Sequence, residues 1–247
     1  MACQDYTGFR SFVQSVIDTN DLSNFKSENV FCDILEHKHC PWGQTFYKIL
    51  RDETTVSDEE LLTFCNQNDV IGNPQRQSYP FGTVSSNSIK YVYHANLVLK
   101  HMKSLGITEA PVVEIGGGYG GMAFAMNHFA PNYGITITDY YLLDFPELCK
   151  LQELYLKQVC NASSKFHYHS TFDFGDDILT HNLYLIGIYS LGELTPTLKH
   201  KYIETLFPKV DHGFLIWNSP PYIPFQKQEI ITPEIPLTGP HNSFIYF

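Results

Sequence analysis

The sequence predicts an α/β fold: a seven-stranded, mostly parallel sheet, a closing antiparallel hairpin and an N-terminal helical cap. Three features predict it. Strand and helix patterns alternate after about residue 107, as a parallel sheet with helical crossovers requires. The apolar run Pro111-Val-Val-Glu-Ile115 ends in Gly116-Gly117-Gly118-Tyr119-Gly120-Gly121, a turn from strand into helix. At the C terminus two strand patterns flank Gly239-Pro240 with no helix between them, which reads as an antiparallel hairpin.

The elements follow in order. Phe9, Phe12, Val13, Val16 and Ile17 recur at helical spacing. Ser57 and Glu60 form a capping box ahead of Leu61, Leu62 and Phe64. The polar, Gly- and Pro-punctuated stretch from about 67 to 88 reads as a loop. A helix is expected from about Ser86 to Leu105, with Gly106 as its stop. Beyond the glycine turn come a short apolar helix, a second strand in ITITDYYLLD, and an amphipathic helix carrying Leu148, Leu151 and Tyr155. KFHYHS and NLYLIGIYS read as the third and fourth strands, and GFLIWN as the fifth. Between the last two, Thr195-Pro196 starts a helix with Pro at its first position. The expected division is residues 1–85 as helical cap and lid loop, and residues 86–247 as the α/β domain.

Composition narrows the function. Hydrophobic residues make up 43% of the 247, enough for a buried core, and the net charge is −10. Sixteen Lys and Arg against 26 Asp and Glu, without a basic cluster, speak against nucleic acid or an anionic membrane as partner. No apolar run is long enough to span a bilayer. The start lacks the basic-then-apolar pattern of a secretory signal, so a cytoplasmic location is expected. The six cysteines are scattered and read as free thiols, and the Asn161-Ala-Ser163 sequon as a chance match.

The glycine turn is the strongest signal. Gly116-x-Gly118-x-x-Gly121 fits a dinucleotide fingerprint, while Glu114-x-Gly116-x-Gly118-x-Gly120 fits the acid-then-glycine pattern of S-adenosylmethionine-dependent methyltransferases. A glycine-rich turn without ligand is the third reading. The acid two residues before the first glycine favours S-adenosyl-L-methionine: a carboxylate can take the ammonium of its methionine moiety, whereas beside a pyrophosphate it would repel. A ribose requires an acid at the end of the second strand. Asp139 has the more usual spacing; Asp144 directly precedes Phe145-Pro146-Glu147, where the next helix starts, and is preferred.

Further blocks carry a family resemblance over about residues 65–220: Asn68-Asp-Val-Ile-Gly72-Asn73-Pro74, Ile89-Lys-Tyr91, Glu114 to Gly121, Asp144-Phe-Pro146-Glu147 with Leu151-Gln152 and Tyr155-Leu156, Tyr189-Ser190-Leu-Gly-Glu193, Tyr202 and Asn218. In these the chain resembles the sugar O-methyltransferase family within the class I (Rossmann-like) methyltransferases. Phe145 stands where the family has an aliphatic residue, and the first 60 residues match poorly. The resemblance implies methyl transfer from S-adenosyl-L-methionine to a hydroxyl of a sugar, nucleotide-sugar or glycan. It places Glu114, Gly116, Gly118 and Gly120 at the cofactor and Asp144 on its ribose. Gly117, Tyr119, Phe145 and Ser190 join them as candidate cofactor contacts. The alternatives are an NAD-dependent oxidoreductase and a non-catalytic methyltransferase-fold binding protein.

A sugar hydroxyl is a weak acid, so a base is expected to take its proton as the new bond forms. Glu193, a few residues beyond the fourth strand, is the first candidate, with a helix-start carboxylate as its structural alternative. Tyr189 could stack on a sugar, and Asn218 could bind a hydroxyl. His169 is a further candidate base, as is His94. Neither Asp173, Asp176 and Asp177 nor Cys32, His37, His39 and Cys40 match a standard ligand pattern, so no metal is expected. The loop 67–88 is expected to close over the site, with Arg76 or Tyr79 at the acceptor.

Overall fold

The computed structural model describes residues 6–36, 41–53, 56–160, 165–218 and 229–247. Cys3, His37, His39, Cys40, the Asn161 sequon and the run Ser219-Pro220-Pro221 lie outside them.

The N-terminal part is helical. It comprises α1 (Thr7–Thr19), the short α2 (Asn29–Phe31), α3 (Gly43–Glu53) and α4 (Asp58–Asp69). Ser57 caps α4 by accepting the Glu60 N–H at 3.1 Å, as the capping box predicts. The stretch read as a loop contains a small hairpin, β1 (Gln77–Tyr79) and β2 (Gly82–Val84), with a glycine at its turn. The long α5 (Ser86–Ser104) follows, capped by Ser85.

The α/β part runs β3 (Glu109–Ile115), α6 (Gly121–Phe129), β4 (Thr136–Asp144), α7 (Pro146–Val159), β5 (Lys165–Ser170), β6 (Leu183–Ile188), α8 (Ser190–Glu193), α9 (Pro196–Thr205), β7 (Val210–Trp217), β8 (Ile230–Pro233) and β9 (Ser243–Tyr246). Among the described residues the main sheet has seven strands in the order β5-β4-β3-β6-β7-β9-β8. The first five are parallel; β9 inserts antiparallel between β7 and β8. This is the Rossmann-like arrangement with a closing hairpin that the patterns predict. The strand order reverses at β3, so β3 and β6 flank the switch point where ligands of open α/β sheets sit.

Side-chain alternation sorts the sheet into two faces. Val112, Tyr140, Leu142, Tyr184, Ile186, Phe214 and Ile216 join a core shared with α5, α6 and α7. Val113, Ile115, Tyr141, Leu143, Leu185, Leu215 and Trp217 face the other way, onto Tyr202, Leu206 and Phe207. The first core continues without a break into Phe9, Phe31, Phe46, Leu61 and Phe64 of the N-terminal helices. α1 is tied to α7 by the Arg10–Glu147 ion pair, and the Arg10 guanidinium lies 4.5 Å from the Phe145 ring centroid.

Candidate functional site

A cavity of about 750 Å³ opens at the carboxyl ends of β3, β4, β6 and β7. That is enough for a nucleoside-sized ligand together with a second small molecule. Glu114, Gly116, Gly117, Gly118, Asp144, Tyr189, Ser190 and Glu193 all line it, although up to 79 residues separate them in sequence (114 to 193).

The glycine turn is built tightly. The Gly116 N–H donates to the Leu143 carbonyl at 2.8 Å, which locks the turn onto the end of β4. Gly116 has φ +74°, and a Cβ there would come within 2.5 Å of Ser190 Cβ, so glycine is required on both counts. Ser190 closes the contact from the start of α8: its hydroxyl donates to the Ile115 carbonyl at 2.5 Å. The C-terminal ends of β3 and β6 are thereby held together at the switch point.

Asp144 ties the glycine turn to the end of β4. Oδ2 accepts the Gly118 N–H at 3.0 Å and the Gln152 amide at 3.1 Å, while Oδ1 accepts the Phe145 N–H at 2.8 Å. Gln152 also donates to the Gly118 carbonyl at 2.9 Å, so one amide braces both turn and carboxylate. Burial pushes the Asp144 carboxyl up to about 7 against these hydrogen bonds. Glu114 lies deeper and accepts the Tyr140 hydroxyl at 2.8 Å. Burial, with Asp144 nearby, lifts it to about 8. Two acids raised this far make a pocket that gains by receiving a cation or hydroxyl donors. An α-ammonium group and a ribose diol fit that donor set. Asp139 sits mid-strand and bonds the His167 ring at 2.9 Å, outside the cavity.

The opposite wall carries Glu193. Tyr6 donates its hydroxyl to Glu193 Oε2, and Asn218 donates its amide to Oε1 at 2.9 Å. Tyr189 leads from β6 into α8 in the left-handed region, φ +62°, a conformation rare for an aromatic residue. Its N–H is held by the Ile216 carbonyl at 3.0 Å and its hydroxyl donates to the buried Glu234.

Several expected residues fall elsewhere. His169 does not line the cavity, although Thr171 two residues on does; its ring bonds Asp177 at 2.6 Å instead. His94 is fully buried on α5, edge-on to Phe46 and Tyr189, and burial holds its pKa well below the usual value. Tyr119 turns its ring away from the cavity into the core, between Phe25, Tyr91 and Tyr155. Gly120 caps α6 against Leu156, and Phe145 packs on Tyr6 and Phe172; neither lines the cavity.

The loop 67–88 contributes no lining residue, in contrast to the lid expectation. Arg76 donates to the Asp69 carbonyl at 3.0 Å, and Tyr79 bonds Ser86 at 2.6 Å. Asn68 and Asp69 are buried and brace the start of α5 through Ser88 and the Ser85 N–H. Asn68 also bonds Tyr119 and Tyr155, so this segment supports the glycine turn from behind. The cavity is lined instead by Tyr6, Leu35, Trp42 and Phe46 and, from the C-terminal hairpin, by Thr238, Gly239 and Asn242. Trp42 and Leu35 had only an apolar character to mark them, and the hairpin residues only a turn signal.

Among the described residues no three His, Cys, Asp or Glu side chains come together as a metal site, and no helix is long and apolar enough to cross a membrane. Cys32, Cys65, Cys149 and Cys160 are free thiols.

No family model and no curated protein matches the chain. Among solved structures it is similar to TrmK of M. capricolum with S-adenosylhomocysteine: 11% identity, 62% of this chain and 66% of that one, TM-score 0.41. It is likewise similar to PKMT2 of Rickettsia typhi with the same ligand (18%, 53% and 26%, 0.38). A third is CalS10, an amino pentose methyltransferase of Micromonospora echinaspora with bound S-adenosylmethionine (11%, 57% and 57%, 0.40). The match thus spans between 26% and 66% of the length of these proteins.

Proposed function

We propose that this protein transfers a methyl group from S-adenosyl-L-methionine to a hydroxyl of a sugar or glycan. The observation that carries the reading is Asp144: a buried carboxylate at the end of the strand beside the glycine turn, hydrogen-bonded to that turn and open to the cavity. The antiparallel β9 between β7 and β8 further separates the sheet from the dinucleotide-binding order of the NAD alternative.

In this reading Asp144 receives the ribose hydroxyls, Glu114 faces the ammonium group, and Gly116 to Gly118 let the backbone approach without Cβ atoms in the way. When bound, S-adenosylmethionine would supply a methyl group already activated for displacement. The chain's own task is then orientation and proton removal. Glu193 takes the proton of the attacking hydroxyl; Tyr6 and Asn218 hold its carboxylate in place and leave lone pairs for it. Tyr6, Trp42, Phe46 and Tyr189 offer aromatic faces for a saccharide ring and keep water out. The division into a cap of residues 1–85 and a catalytic domain of residues 86–247 belongs to the same proposal, with α1 and the segment around Trp42 as the covering part.

Thermal unfolding with S-adenosylhomocysteine, and separately with NAD, tests it. Ligand at about 100 times its dissociation constant stabilises by about 2.7 kcal/mol, a rise of about 5–10 °C at this size. A rise with S-adenosylhomocysteine that Asp144→Ala abolishes supports the proposal. A rise with NAD alone overturns it.

A further inference from the structure

The hairpin connection between β8 and β9 does more than close the sheet. Thr238, Gly239, Pro240 and Asn242 form part of the cavity wall, next to Tyr189 and Asn218. Behind them lies Glu234, 3% exposed. Its Oε1 accepts the Tyr189 hydroxyl. Its Oε2 accepts the Thr238 N–H at 2.8 Å, the Thr238 hydroxyl at 2.7 Å and the Asn242 amide at 2.8 Å. The Glu234 N–H in turn donates to the Asn242 carbonyl at 3.1 Å. One buried side chain therefore gathers the loop and the tyrosine between β6 and α8 into a single wall. A carboxyl group supplies the lone pairs that four converging donors require, which accounts for its place at that depth.

The wall's own chemistry selects a ligand. Thr238, Asn242, Asn218 and Tyr189 are neutral, and the loop presents no charged side chain to the cavity. Asn218 Oδ1 is buried and has no hydrogen-bond donor among the described residues. Any ligand group that reaches it must donate, as a hydroxyl does and an ionised phosphate does not. Among the described residues the cavity as a whole is lined by Asp33, Glu114, Asp144 and Glu193 against Lys90. Burial raises Glu114 and Asp144 towards neutrality, yet Asp33 and Glu193 alone outnumber Lys90, so the described lining offers a phosphate no net positive charge.

We infer that the Tyr189–Asn218–Thr238–Asn242 wall is the acceptor subsite, that it receives an unphosphorylated, hydroxyl-bearing saccharide ring rather than a nucleotide-sugar, and that Glu234 is its positioning residue. The inference rests on the methyltransferase reading above and selects among its acceptors.

The test uses the full chain loaded with S-adenosylhomocysteine. Saturation-transfer NMR is recorded with a pool of methyl glycosides of glucose, galactose, mannose, fucose, rhamnose and N-acetylglucosamine, and separately with glucose 1-phosphate and uridine diphosphate glucose. Transfer to at least one methyl glycoside and to neither phosphate is expected. Glu234→Gln should weaken that transfer about tenfold, the order of one charged hydrogen bond lost, with the S-adenosylhomocysteine dissociation constant unchanged. Asn218→Ala should weaken it also, and Glu234→Asp should restore part of it. Should Glu234→Gln fail to fold, Asn242→Ala with the same two readouts replaces it. Transfer to the phosphates alone, transfer to nothing while S-adenosylhomocysteine binds, or parallel loss of both ligands in Glu234→Gln each overturns the inference and leaves the methyltransferase reading standing. Failure of the wild type to bind S-adenosylhomocysteine removes both.

Discussion

Tyr6 donates its hydroxyl to Glu193 across 187 positions of sequence. With Asn218 on the other oxygen, the bond leaves this carboxylate a single orientation at the cavity wall. It also ties the first helix to the turn that follows β6.

Loss of that tie should show in turnover before stability. Tyr6→Phe removes one hydrogen bond to a charged group, about 1.5–3 kcal/mol. A fall in kcat of about 10-fold to 100-fold is expected, with S-adenosylhomocysteine affinity unchanged within about twofold. Glu193→Gln should fall further, and unchanged turnover in that variant removes Glu193 from proton transfer. Steady-state kinetics with an acceptor found by the screen above, together with calorimetry, checks both.

Glu114 should make the free protein's stability fall as pH rises. Its folded pKa, about 8, lies above the 4.5 of the unfolded chain. Between those values the native state holds a proton that the unfolded state has released. Stability present below about pH 4.5 is thus lost progressively towards pH 8, by up to about 1.4 kcal/mol per unit. Asp144, about 7 against 3.8, acts with the same sign over a lower window. Glu114→Gln should flatten the decline between about pH 5 and 8 while weakening S-adenosylhomocysteine binding. Denaturant unfolding across that range measures the slope; an unchanged slope would contradict the assignment.

Cofactor binding should release protons near neutrality. A ligand ammonium favours the ionised forms of Glu114 and Asp144, which are partly protonated at about pH 7 in the empty site. Calorimetry of S-adenosylhomocysteine in two buffers of different ionisation enthalpy should give a positive proton release at pH 7. The value should shrink in Glu114→Gln.

Gly116→Ala should cost about 1–3 kcal/mol from the left-handed backbone alone. The contact with Ser190 Cβ adds to it and pushes β3 and β6 apart. A midpoint lower by several degrees and loss of the S-adenosylhomocysteine shift are expected together. Asn68→Ala should also destabilise, by about 2–4 kcal/mol, because it removes the acceptor shared by the Tyr119 and Tyr155 hydroxyls and its own bond to Ser88 in the core. Chemical denaturation reads both variants.

Much of the site was legible in the chain because it is local. Glu114, the glycines and Asp144 lie at strand ends, and a strand end is announced by the pattern on both sides of it. Ser190 and Glu193 were legible in the same way, from the end of the fourth strand. The covering residues were not. The 67–88 segment has the composition of a loop, yet Asn68 and Asp69 are buried by bonds to Ser88, Ser85, Tyr119 and Tyr155. Composition cannot report partners that distant. Likewise His169 stands near the end of its strand, as expected, but its ring is engaged by Asp177 and does not line the cavity.

The sequence by itself therefore determined the α/β order, the glycine turn and the two acids that flank it, since hydrophobic periodicity and turn chemistry act over a few residues. Only the tertiary structure decided what stands opposite them. Tyr6, Trp42, Asn218, Thr238 and Asn242 meet there because the strand order reverses at β3 and because β9 returns between β7 and β8. Such contacts arise from long-range packing of whole elements, and no local pattern encodes where those elements will dock.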